Sequence, residues 1–337
     1  MKSVYNIALA TVGVANAAGY NYDDLGVNWA DLKVDGNLCG TGLNQSPINL
    51  ISEKNKDGWE KADYKVYDGS ADQFTKIYEN PYQAEPKFNG HTVQVDFADT
   101  VTGPMTFVSN IAEQVYGAPK QFSGLQFHFH AQSEHTVDGE LTDFEMHTVH
   151  LPTQPNPTNG YMAAAVGIMF SVNKYNAKLT WAEEKIIENF FENINFDAIT
   201  DADTSAPVDW ILYNDLLSLV NTDNRWVYRG SVTTPPCAQN VYWNVMTTVY
   251  PIKQEIVDKF KSKLAFAKIE ENRRVPQETK GKNHDVIYLK NNNLAELQAA
   301  KGATGAALGG MMVVLGFFLV LLCISVCFLG KKAKDLK

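Results

Sequence analysis

Between residues 19 and 290 the dominant pattern is strict alternation of apolar and polar positions. It runs through His91 to Phe97, Leu125 to His130, Glu145 to Leu151 and Val241 to Val249, each rich in β-branched or aromatic residues and bounded by turn residues. A period of two with that composition predicts strands, so the core is β-rich. Helical spacing is confined to two stretches. In Trp181 to Ile194 the apolar residues Ile186, Ile187, Phe190, Phe191 and Ile194 recur at three and four, and in Pro251 to Ala265 Ile252, Ile256, Phe260 and Leu264 do the same. No internal repeat, low-complexity tract or long linker interrupts 19–290, which predicts one domain.

The pattern changes at both ends. From Ala306 to Leu329 the chain is apolar and uncharged, longer than the ~20 residues a helix needs to cross a bilayer. Lys331, Lys332 and Lys334 follow at once, which places the tail (330–337) in the cytosol and the preceding domain outside it, a single-pass type I arrangement with an extracellular or lumenal domain. Residues 1–18 combine Lys2, a short apolar stretch and Ala15-Asn16-Ala17, the pattern of a cleaved signal peptide. Residues 291–305, which open on three asparagines and turn alanine-rich, read as a stalk. Gly305 and Gly309 form one G-x-x-x-G, which leaves a homodimer open.

Composition sharpens this picture in two ways. The chain has 337 residues, with 45% hydrophobic, 20% charged and a net charge of −9, and its two ends each carry a net positive charge, so the body is more acidic than the total. Such a surface repels phosphate backbones and excludes nucleic acid as a partner. Of the four cysteines, Cys323 and Cys327 fall in the membrane run, leaving Cys39 and Cys237 as one disulfide or as two buried thiols. Asn44-Gln45-Ser46 is a glycosylation sequon followed directly by Pro47.

The chemistry lies in two of the predicted strands. Because side chains alternate along a strand, Gln126, His128 and His130 share one face, as do Glu145, His147 and Val149. If the two strands pair antiparallel, through a connection containing Asp138-Gly139, His147 completes a three-nitrogen cluster with His128 and His130. Three histidines with an open fourth position are a catalytic Zn2+ arrangement, since structural zinc closes the tetrahedron with a fourth protein ligand. Gln126 and Glu145 each precede a histidine by two residues on the same face and can accept that ring's other N–H, fixing its tautomer. His150 faces the other way and, with His135, reads as a buried hydrogen-bonding residue. His128, His130 and Glu134 also partly match the first motif of cupins, but the glycines and the second motif of that family are missing.

The stretch Gln126 to Asp138, with Glu145 to His150, resembles the α-class carbonic anhydrases. Further matches run from Gln45-Ser46-Pro47-Ile48 through Asn89-Gly90-His91 and Trp226 to Pro236 to Trp243 and Asn272-Arg273-Arg274. The resemblance implies a β-rich α+β fold, a single domain around a large, mostly antiparallel twisted central sheet with short peripheral helices, to which this chain adds one C-terminal transmembrane helix. It implies reversible hydration of carbon dioxide to bicarbonate by a zinc-bound hydroxide, with His128, His130 and His147 as metal ligands. Thr233 resembles the hydroxyl that orients the nucleophile and donates to Glu134, as it must because an ionised carboxylate only accepts. Val149, Ala165, Val232, Thr234 and Trp243 resemble the substrate pocket, and His91 resembles an exposed proton shuttle, an imidazole whose unperturbed pKa near 6.5 suits that task. Cys39 and Cys237 match the disulfide of secreted members. Ala131 stands where animal members usually carry Trp, and Ala165 replaces a bulkier aliphatic residue. The rival within this fold is a catalytically silent binding module, which would have lost a zinc histidine, Thr233 or Glu134; all are present.

Overall fold

The alternating stretches form strands and assemble into one sheet. The structure is a computed structural model that describes residues 19–290 apart from 59–63, 69–71, 73, 98–105, 154–159, 280 and 283. In chain order the strands of the main sheet are β1 (Lys65–Asp68), β2 (Thr75–Ile77), β3 (Lys87–Phe88), β4 (Val93–Asp96), β5 (Thr106–Val108), β6 (Gln121–His130), β7 (Phe144–Pro152), β8 (Ala163–Ser171), β9 (Arg225–Ser231), β10 (Gln239–Pro251) and β11 (Ile287–Lys290). Their order across the sheet is β1-β11-β9-β10-β8-β7-β6-β4-β3, with β5 also on β6 and β2 on β5. Most neighbours are antiparallel; β8 runs parallel to β10 and β11 to β1. The sheet is therefore mixed, and largely antiparallel as the resemblance implies.

Four short α-helices are described: α1 (Asn110–Tyr116), α2 (Trp181–Ile194), α3 (Tyr213–Leu219) and α4 (Gln254–Leu264). α2 has the limits its periodicity predicts. It opens on a capping box, the Thr180 hydroxyl accepting from Glu183 N–H while the Glu183 carboxylate accepts from Thr180 N–H, and it ends at Asn195 in the left-handed conformation. α4 starts three residues later than its apolar spacing suggests, because Pro251 still belongs to β10 and Lys253 is the N-cap. Both helices cover the same face of the sheet, where Phe190 and Phe191 of α2 and Phe260 of α4 meet Phe129 and Phe144. Fully burying each such ring is worth roughly 1.5–3 kcal/mol, so this face anchors the sheet. The histidine face is the opposite one.

β8 shows no alternation in sequence because every one of its residues is buried. Lying mid-sheet between β7 and β10, it is covered on both faces and needs no polar side. Cys39 and Cys237 form a disulfide with Cα atoms 4.9 Å apart across 198 residues of sequence, and constraining so long a loop in the unfolded chain is worth at most about 5 kcal/mol. It fastens the N-terminal segment to the turn between β9 and β10, which carries Thr233 and Thr234. Asn44 is only 7% exposed, so its sequon is a poor glycan acceptor.

The described residues belong to a compact unit ending at Lys290. The signal peptide, stalk, membrane span, G-x-x-x-G and cytosolic tail all lie outside them. Among the described residues no helix is long and apolar enough to cross a membrane.

Candidate metal centre

β6 and β7 pair antiparallel with His128 opposite His147 and His130 opposite Glu145, the register that the shared face requires. One ring nitrogen from each of His128, His130 and His147 lies within 4.8 Å of the other two. His130 and His147 are buried and His128 is half-buried, so the cluster opens to solvent beside His128.

The second nitrogen of each ring is held by an acceptor. Gln126 Oε1 lies 2.9 Å from His128 Nδ1, the main-chain oxygen of Asn272 lies 2.6 Å from His130 Nδ1, and Glu145 Oε1 lies 2.9 Å from His147 Nε2. Each acceptor puts the ring proton on its own side and leaves His128 Nε2, His130 Nε2 and His147 Nδ1 bare toward the centre. His130 Nε2 is buried with no hydrogen-bond partner. A buried acceptor without a donor is costly, and three bare nitrogens converging is the donor set zinc requires; the residues fit the metal. Burial, followed by the neighbouring imidazoles, lowers the pKa of His128 well below 6.5, and burial lowers that of His130. Burial acts the same way on His147, but the Glu145 carboxylate outweighs it and leaves His147 raised.

Glu145 does more than its sequence position suggests. Besides His147 it accepts from the main-chain N–H groups of Glu134 (2.8 Å) and His135 (2.9 Å) and from His135 Nδ1 (2.7 Å). Burial works against its ionisation, yet His135 and His147 hold its pKa well below the usual carboxylate range. His135 spans from Glu145 to the Tyr228 hydroxyl at 2.8 Å, the buried hydrogen-bonding role read from the sequence. Gly167 stands opposite His147, and a Cβ there would come within 3.0 Å of Glu145 Oε1, so the glycine makes room for the carboxylate.

Glu134 is fully buried beside the cluster. Its Oε1 accepts from Arg274 N–H at 2.9 Å; its Oε2 lies 3.6 Å from His130 Nε2 and 3.8 Å from His147 Nδ1 with no hydrogen-bond partner. The hydrogen bond from Thr233 that the resemblance implies is not formed: Oε1 accepts from Arg274 N–H, and Oε2 is left without a donor. Thr233 itself is buried in the β9–β10 turn. Trp243 packs edge-on to His147, ring centroids 4.8 Å apart, and Ala165 lies between Val149 and Trp243 in the sheet register, with Val149 and Val232 against the same apolar cluster. Trp243 thus borders the centre, and Val149, Ala165 and Val232 share its apolar cluster. Thr234 faces the Tyr20 hydroxyl.

His91 departs from the exposed imidazole expected after an Asn-Gly turn. Its ring stacks on Tyr20 at 4.2 Å with an interplanar angle of 15°, Tyr22 meets it edge-on at 6.0 Å, and its Nδ1 is buried without a partner. Burial lowers its pKa to about 4. Tyr20→Ala is therefore expected to raise the His91 pKa toward 6.5 by uncovering the ring, as followed by NMR titration of the imidazole; an unchanged midpoint would show that Tyr20 is not what shields it.

The asparagine and arginine of the 272–274 motif carry contacts that no periodicity announces. Asn272 supplies the acceptor for His130, and Arg274 supplies the N–H for Glu134 while its guanidinium bonds Gln45, Ser46 and Cys39.

Comparison with known proteins agrees with this geometry. The sequence profile described as "Eukaryotic-type carbonic anhydrase" matches residues 27–287. Carbonic anhydrase 7 of Mus musculus is 31% identical over 281 residues, spanning 78% of this chain and 94% of that protein. A carbonic anhydrase of Nostoc is 30% identical over 239 residues, spanning 69% and 74%. Among solved structures, the α-carbonic anhydrase of Thermovibrio ammonificans in complex with sulfanilamide superposes with a TM-score of 0.57 at 27% identity, covering 80% of this chain and 99% of that one. The fungal α-carbonic anhydrase of Aspergillus oryzae shares the fold, with a TM-score of 0.58 at 24% identity, covering 78% and 94%.

Proposed function

Because the chain belongs to the eukaryotic-type carbonic anhydrase family and is thereby an enzyme of carbon dioxide hydration, we propose that it works through zinc held by His128 Nε2, His130 Nε2 and His147 Nδ1, on the extracytoplasmic side of a membrane. The observation that carries the metal reading is the convergence of three bare ring nitrogens, each with its other nitrogen engaged.

When bound, zinc supplies Lewis-acid activation of water at neutral pH. The chain's own residues do the rest. Gln126, Asn272 and Glu145 keep the ligand tautomers fixed. Glu134, an acceptor beside the centre, obliges the Thr233 hydroxyl to donate to it whenever the two meet, which leaves the Thr233 lone pair to orient the attacking oxygen. Val149, Ala165, Val232 and Trp243 hold carbon dioxide, a small apolar molecule with no hydrogen bond to gain from the wall, while Thr234 borders the same space. His91 passes the proton outward once its ring leaves the Tyr20 stack, since an imidazole of pKa near 6.5 exchanges protons at neutral pH and a covered one does not.

The location rests on the leader at 1–18, the apolar run at 306–329 and the basic residues after it, and it is supported by the Cys39–Cys237 disulfide, a bond that persists in oxidising compartments. Carbon dioxide hydration by the purified full-length protein, with and without a zinc chelator and with the metal content of the same sample, tests the chemistry. Stoichiometric zinc and a rate that disappears with it are expected; a metal-free protein of undiminished activity would overturn the reading.

A further inference from the structure

Asn272 is completely buried, and every polar atom of its side chain is used across the sheet rather than within its own segment. Its Oδ1 accepts from Ala131 N–H at 3.0 Å, and its Nδ2 donates to Phe129 O at 2.9 Å. Phe129 and Ala131 are the residues on either side of His130, so the amide clamps the backbone around one ligand while the Asn272 main-chain oxygen holds that ligand's ring. The second N–H of the same amide donates to the main-chain oxygen of His91 at 3.1 Å. The turn that presents His91 is otherwise set by Asn89, whose Oδ1 accepts from His91 and Thr92 N–H, and by the Thr92 hydroxyl on Phe129 O. One side chain thus joins the ligand strand to the turn that carries the proton relay.

We propose that Asn272 is a positioning residue that holds the orientation of His130 and the placement of His91 as one unit. The proposal rests on the reading of His130 as a zinc ligand and His91 as the relay. No other residue type reproduces the pattern. Aspartate would offer an acceptor where two carbonyls need donors, leucine fills the space without a hydrogen bond, and glutamine is one methylene longer in a fully buried site.

The test compares the full-length wild type with Asn272→Leu and, because leucine leaves buried carbonyls unpaired and could unfold the domain, with Asn272→Ser, whose short hydroxyl leaves room for water. Two readouts are needed: the zinc Kd by chelator competition, and isotope exchange separating carbon dioxide–bicarbonate interconversion from release of labelled water, which reports proton transfer. In folded variants the main-chain oxygen that holds the His130 ring remains, so the zinc Kd is expected to rise, through the loosened backbone around His130, by less than the about 10–100-fold that losing a ligand's outer partner costs. Proton transfer at saturating zinc is expected to fall further than interconversion and to recover with added imidazole. In a His91→Ala background the proton-transfer effect of Asn272→Ser should vanish while the Kd effect stays. A lowered melting temperature with zinc Kd and the ratio of the two rates unchanged would make Asn272 a purely structural residue and overturn the proposal. A wild type without stoichiometric zinc would overturn instead the metal reading on which it rests.

Discussion

Alanine at His128 is expected to strip the protein of zinc and activity while leaving the fold in place. The three ring nitrogens meet within 4.8 Å, and removing one leaves two, one short of the three protein ligands that catalytic zinc sites use. The loss should exceed the roughly 10–100-fold that removal of an outer partner typically costs. The fold survives because His128 is the half-buried member of the cluster and because its strand is anchored from the opposite face by Phe127 and Phe129. His150→Ala makes the informative contrast. That ring lies on the other face, bonded to the Tyr78 hydroxyl at 2.8 Å and packed edge-on against Phe107, so its loss should lower stability and leave zinc in place. Metal analysis, hydration rate and urea midpoint of the two variants check the pair; a His128→Ala protein that retained its zinc and its rate would remove His128 from the metal centre.

What could be read before the fold was known follows from how each residue is placed. His128, His130 and His147, with Gln126 and Glu145, were legible because a strand's period of two puts them on one face and because one antiparallel pairing brings the faces together. β8 was not, since a strand covered on both sides carries no alternation. Tyr20 over His91, Tyr228 behind His135, and Asn272 and Arg274 behind His130 and Glu134 come from segments remote in sequence, and nothing periodic in those segments announces a partner. The resemblance pointed to Asn272 and Arg274 as motif residues without giving them a task. It also implied an exposed His91, which the N-terminal tyrosines instead cover, and a Thr233–Glu134 hydrogen bond, in place of which Glu134 Oε1 accepts from the distant Arg274 N–H and Oε2 has no donor.

Glu145 is where stability and chemistry depend most heavily on one side chain. Four donors converge on its two oxygens, two from the backbone of Glu134 and His135, one from the His135 ring and one from the His147 ring, and none of them reaches water. Glu145→Leu leaves all four without an acceptor. At about 1–3 kcal/mol for each buried group left unpaired, and allowing for partial relaxation, the cost should reach about 4–8 kcal/mol, comparable with the whole 5–15 kcal/mol stability of an ordinary domain. Glu145→Gln keeps the shape and one acceptor but turns an NH2 toward groups that themselves donate. About half of the penalty should remain, enough to lower the urea midpoint clearly without unfolding the chain. It should weaken the metal site as well as the fold. Without a carboxylate at Nε2, the His147 proton is free to move to Nδ1, the atom that must stay bare, and the zinc Kd should rise by roughly 10–100-fold. Gly167→Ala approaches the same result from the other side, since its methyl would press on Glu145 Oε1 from 3.0 Å. Urea midpoints and chelator competition on the three variants decide the matter. A Glu145→Leu protein with the wild-type midpoint would mean that the four donors find other acceptors, and a Glu145→Gln protein with the wild-type zinc Kd would mean that the His147 tautomer is held by something else.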